Sequence, residues 1–109
     1  MVQENSSEQI SIVDGQYLIH IEFVEMRMSL WVGVFSIENM QTKEVILNFK
    51  RHNFHFLTVK EIENTVVIVF QIYPNGQNQY EMSINFDLEQ IALFGKIYNF
   101  MEYNNSFVI

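Results

Sequence analysis

The residues of this chain best suited to acid–base or metal chemistry are His20, His52 and His55. His52 and His55 stand three apart, a spacing that shares one face of a helix but splits across the two faces of a strand. Phe54, Phe56 and Val59 around them favour a strand, so no shared metal is expected. Ser29, Ser36 and Ser83 fall in strand-like stretches. None sits in the sharp glycine-flanked elbow that exposes a serine nucleophile. Carboxylates pair as Glu22 with Glu25 and Glu61 with Glu63. The second pair would share a strand face, as glycosidase carboxylates can. Yet Lys60-Glu61-Ile62-Glu63-Asn64 reads first as a solvated connection. There is no phosphate loop and no glycine-rich dinucleotide turn. The reading is therefore non-enzymatic, with no catalytic residue, no cofactor and no metal.

Binding chemistry is the alternative, and charge gives it a direction. Thirteen acidic residues against six basic ones leave a net charge of −7. A field of that sign repels phosphate, so neither nucleic acid nor an anionic membrane is an expected partner. The basic run Lys50-Arg51-His52, set among Phe49, Phe54 and Phe56, has the interleaving of single-strand binders but is too small to reverse the field. A protein with a basic surface is the expected partner, because opposite charge speeds encounter. The acidic candidates for that contact are Glu22, Glu44, Glu61, Glu63 and Glu81. Trp31 is the candidate apolar anchor, since interfaces gain most of their energy from buried aromatic residues. The opposing readings are that Trp31 belongs to the core and that the charge only keeps an apolar chain dispersed.

The elements that must position these residues read mostly as strands. The chain has 109 residues, 49% hydrophobic and 15% aromatic, enough for one packed core. It has no cysteine, which excludes a disulfide framework. Met1 to Gln9 is polar, lacks the features of a signal peptide, and reads as a flexible arm ahead of a single domain over 10–109. With no long apolar run, a cytoplasmic location follows as the expectation. Asp14-Gly15 marks a turn. Tyr17 to Glu25 alternates, with Tyr17, Ile19, Ile21 and Phe23 on one face. Arg27 to Glu38 is apolar on both faces in its middle, as in a covered strand, and Gly33 there marks a bulge or a close approach. Asn39 to Lys43 is turn-like. Glu44 to Phe49, Phe54 to Val59 and Thr65 to Tyr73 follow as strands.

Tyr73-Pro74-Asn75-Gly76-Gln77 predicts a hairpin closed by a bulged turn with Gly76 at positive φ. That loop pairs Phe70 with Tyr80, Ile68 with Met82 and Val66 with Ile84. A two-residue Asn-Gly loop would instead set Phe70 against Glu81. The predicted core holds Ile21, Phe23, Val32, Val34, Leu47, Ile68, Phe70, Met82, Ile84 and Phe86. Asp87 to Gln90 reads as a capping box, and Leu88, Ile91, Phe94, Ile97, Tyr98 and Met101 follow at helical spacing, predicting a helix over 88–103. The expected fold is thus mainly β: a single antiparallel sheet curled into a sandwich or half-barrel, with one C-terminal helix.

Met28-Ser29-Leu30-Trp31, a polar turn, Lys43-Glu44-Val45-Ile46-Leu47, and then Tyr73-Pro74-Asn75-Gly76 with the alternating Tyr80 to Phe86 resemble a group of small uncharacterised bacterial β-rich proteins. The likeness spans about Glu25 to Leu88. Ile72 stands where those proteins often carry Arg before Tyr-Pro. The resemblance implies a bacterial β-rich fold and transfers no activity. The functional expectation is a protein-binding module, most concretely an immunity-type inhibitor of a bacterial toxin. The competing readings are a structural or self-associating domain and a carrier of a small apolar ligand.

Overall fold

The computed structural model describes residues 7–25, 31–50, 53–73 and 78–106. Nine strands and one helix are present among them. The strands β1 (Ser7–Ile12), β2 (Tyr17–Glu25), β3 (Trp31–Asn39) and β4 (Glu44–Asn48) form one sheet in the order β1-β2-β3-β4. A second sheet holds β5 (Phe54–Ile62), β6 (Thr65–Ile72), β7 (Tyr80–Asn85), β8 (Gln90–Leu93) and β9 (Lys96–Asn99), again in chain order. All neighbouring strands are antiparallel. The mainly β expectation holds, with the single curled sheet corrected to two open ones. The chain leaves the first sheet after β4 because β5 pairs with β6 rather than continuing the β4 ladder.

Alternation sets the buried faces. Ile19 and Ile21 of β2 pair with Ile37 and Phe35 of β3, and all four are buried. Val66, Ile68 and Phe70 of β6 meet Ile84, Met82 and Tyr80 of β7, the register of the odd-length loop. The turn residues themselves, Gly76 included, lie outside the described residues. Val32 to Ile37 is buried without interruption, as a strand apolar on both faces should be. Of the predicted core only Phe23 is half-buried. Phe35 packs on Phe56 across the two sheets, while Phe35 with Phe49 and Phe54 with Phe70 pack within the first and second sheet respectively. Tyr17 stacks on Phe86 at 4.0 Å. Where an arm was expected through Gln9, β1 begins at Ser7, and Ser7 to Gln9 pair with Glu22 to His20.

The helix predicted over 88–103 is corrected. Residues 90–93 and 96–99 are the hairpin β8–β9, turned by Phe94 and Gly95 at φ 52° and 78°. Two consecutive positive φ angles in a two-residue loop match the right-handed twist of a hairpin. Helical spacing misled because Ile91 and Tyr98 also face the core as strand partners. Asp87 caps no helix: Leu88 N–H donates to Asn85 Oδ1, closing a turn between β7 and β8. The helix α1 (Phe100–Ser106) starts later, and its capping box is Asn99 with Glu102. Glu102 N–H donates to Asn99 Oδ1 at 2.6 Å, and Asn99 N–H to Glu102 Oε1 at 3.0 Å. Its Tyr103 is buried against Phe49 and Tyr98, so α1 ties β4 to β9. Burial pushes the Tyr103 phenol pKa well up, with Tyr98 adding to the shift. Among the described residues no helix is long and apolar enough to cross a membrane.

Candidate functional site

The turn between β1 and β2 meets the end of the β5–β6 hairpin. Val13 and Asp14 both take positive φ, 53° and 52°, and Glu63 takes 55° in the two-residue turn between Ile62 and Thr65. The register of β5 shifts between Phe56 and Thr58. Beyond that shift Glu61 pairs with Val66, so it lies on the core-facing row at the strand's end. Its Oε1 accepts the N–H of Val13 at 2.9 Å. A cleft of about 260 Å³ opens beside this contact, lined by Val13, Asp14, Glu61, Glu63, Asn64, Val66, Phe86 and Asp87. Four carboxylates thus surround a small apolar floor. Such a rim can hold the cationic side chains of a protein surface while the floor takes an apolar one.

Sequence reasoning named Glu61 and Glu63 but missed Asp14 and Asp87. The signal for Asp14 was only its turn with Gly15. Asp87 was assigned to a helix cap that does not form. The other candidates are spread elsewhere. Glu44 pairs with Asn39, in the ladder row that runs through Tyr17 to Ile12, and so sits at the cleft end of the first sheet. Glu22 lies 3.8 Å from Lys50, and Glu81 3.8 Å from Lys60. Exposed pairs at that distance contribute little stability. Trp31 is half-buried opposite Glu25, at the far end of β3 from Asn39. The expected Trp31 anchor is therefore not beside the acidic rim.

A polar row crosses the other face of the first sheet. Gln9, His20, Ser36 and Asn48 are successive ladder partners on β1 to β4. His20 Nε2 lies 2.5 Å from Glu38 Oε1, and Gln9 Nε2 lies 3.4 Å from His20 Nδ1. Carboxylate, imidazole and serine are the components of a nucleophilic triad. Here both ring nitrogens face other partners, so the imidazole does not serve as a base toward Ser36. No three His, Asp or Glu side chains among the described residues are placed to hold a metal ion.

His55 has a different role. On β3 the β4 ladder covers Ser36 to Asn39 and is extended by Phe49 N–H donating to Phe35 O. Gly33, two residues earlier, directs its own N–H to the same side, beyond the end of β4. His55 Nδ1 accepts that N–H at 2.8 Å, which places the ring's own proton on Nε2. Burial holds the His55 pKa below its ordinary value of 6.5. Gly33 is the close approach its sequence position indicated: a Cβ there would stand 3.0 Å from Phe23 Cε1 and 3.2 Å from Ile21 Cγ2.

No family model, curated protein or solved structure matches this chain.

Proposed function

We propose that the chain is a non-enzymatic module that binds a protein with a basic surface, and that the cleft between the β1–β2 turn and the β5–β6 hairpin is its contact. The observation that carries this reading is the gathering of Asp14, Glu61, Glu63 and Asp87 around one opening floored by Val66 and Phe86. With a net charge of −7, the long-range field draws in the same kind of partner that the rim would hold. An inhibitor that masks the basic site of a toxin is the concrete form of the proposal, since an acidic rim is suited to covering a cationic surface. The ligand-carrier reading has less support, because the space between the sheets is filled by packed rings such as Phe35, Phe49, Phe54 and Phe70. Self-association keeps one supporting observation. Ile97 on the edge strand β9 is 70% exposed, and Met101 in α1 is 73% exposed.

The test is affinity capture with the wild-type chain and with Asp14→Asn, Glu63→Gln and Asp87→Asn combined. Glu61 is left unchanged because it also holds Val13. A partner with a basic surface should be captured by the wild type and lost by the triple variant. Its association rate should fall as salt rises toward physiological ionic strength. Capture unaffected by the triple variant would reject the cleft, and a salt-independent association rate would reject the electrostatic reading.

A further inference from the structure

Two described hydrogen bonds join β5 to the first sheet, and β5 supplies the acceptor side chain in both. His55 near its start accepts from Gly33, and Glu61 near its end accepts from Val13. The two contacts are six residues apart, about 20 Å along an extended strand. Their acceptors respond differently to a proton. A carboxyl group keeps a carbonyl acceptor whether or not it is protonated, whereas an imidazolium has two donors and no acceptor. Protonation of His55 would therefore set an N–H against the Gly33 N–H, in a setting where water is partly excluded.

We propose that His55 is a proton-operated latch on the seam between the two sheets. With the ring neutral, it holds Gly33 and keeps the first half of β5 against β3. With the ring protonated, that end releases while the Val13–Glu61 contact retains the other, so the seam opens from one side. The edge-on contact of Phe35 with Phe56, 5.6 Å between ring centres, lies along the part that parts.

Among the described residues, the strands around His55 bring no carboxylate to it. On β3, Trp31 to Ile37 contains no ionisable side chain, and Glu38 further along is held by His20. On β6, Thr65 to Ile72 contains none either, and His55 pairs there with Gln71. On β5 itself the charged residues, Lys60 and Glu61, are at the opposite end. On β2, Phe23 lies opposite Gly33, and the nearby Glu22 is 3.8 Å from Lys50. Glu25 pairs at the end of the strand with Trp31. No described carboxylate is thus placed to neutralise an imidazolium at His55, and the direction of its pKa, set by burial, agrees.

The experiment follows the Gly33 amide and the His55 ring by NMR from about pH 7.5 to about pH 5, the span over which an imidazole titrates. The Gly33 amide shift and the His55 ring shift should move with one midpoint, below 6.5. The exchange protection of Gly33, corrected for intrinsic rates, should fall roughly tenfold across that span, the ratio expected for a buried N–H losing its acceptor. In His55→Asn, whose Oδ1 reaches the place of Nδ1 without titrating, Gly33 should keep its protection throughout. A Gly33 amide whose shift and protection do not change in the wild type would overturn the proposal. So would a loss in His55→Asn as large as in the wild type. Should that variant not fold, the shared or separate midpoints in the wild type decide the matter.

Discussion

At the scale of single residues, the tightest constraint is the absence of a side chain at Gly33. A methyl group there meets Phe23 and Ile21 within 3.0–3.2 Å, and both belong to the packed β2 strand. Gly33→Ala should destabilise the fold by about 1–3 kcal/mol through overpacking, measured from urea midpoints. His55 gives a second prediction. Its folded-state pKa is depressed by burial, so from 6.5 downward the unfolded chain binds more protons than the folded one. Stability should therefore be full above 6.5 and be lost as pH falls through the window down to the lowered value. His55→Asn should show a shallower loss over the same range, since acid titration of the carboxylates is common to both proteins. Gly33 was legible in the sequence as an interruption in an apolar strand that needed a reason. The reason itself was not, because the atoms that crowd it come from β2 and the acceptor that binds it comes from the other sheet. The same holds for Asp14 and Asp87: each is an ordinary turn residue until two distant turns are brought together.

At the scale of elements, period-2 alternation was the reliable signal and period 3.6 the misleading one. The β6–β7 register could be read because the three pairs on its core-facing row, Val66–Ile84, Ile68–Met82 and Phe70–Tyr80, are apolar, and a one-residue slip would have set Phe70 against a glutamate. The region after Phe86 could not, because two four-residue strands are too short to show their alternation against a helical count. The Phe94-Gly95 turn was also hidden, since a phenylalanine rarely takes positive φ. Its ring sits edge-on to Phe54, Phe70 and Tyr80, and those contacts offset the backbone strain. Gly95 carries the second positive φ with open space around it, so Gly95→Ala should cost about 1 kcal/mol from conformation alone. The true helix start lies twelve residues after the apparent one, and Asn99→Ala should weaken it by about 1 kcal/mol. The check is a lower thermal midpoint together with altered near-ultraviolet signal from Tyr103, which α1 places between Phe49 and Tyr98.

At the scale of the whole molecule, both sheets are simple meanders in which every ladder joins strands adjacent in the chain. Few residue pairs far apart in sequence need to meet before a strand gains a partner, which favours quick folding for a β protein. The two halves then dock through aromatic rings, β5 side chains and α1. That division has a consequence for how the protein could be assembled. Among the described elements the chain changes sheet once, after β4 and before β5. A break in that connection would sever no ladder. Two peptides, one ending after Lys50 and the other beginning at Asn53, should therefore recombine when mixed into a native-like heterodimer. Each alone would have its apolar face bare and should stay poorly ordered. NMR spectra of the mixture matching the intact chain would establish this, and a mixture no more ordered than its parts would show that the covalent link is essential. Two intact chains could make the same exchange, each lending its second sheet to the other, so that a concentrated sample would accumulate dimers built from the monomer's own contacts.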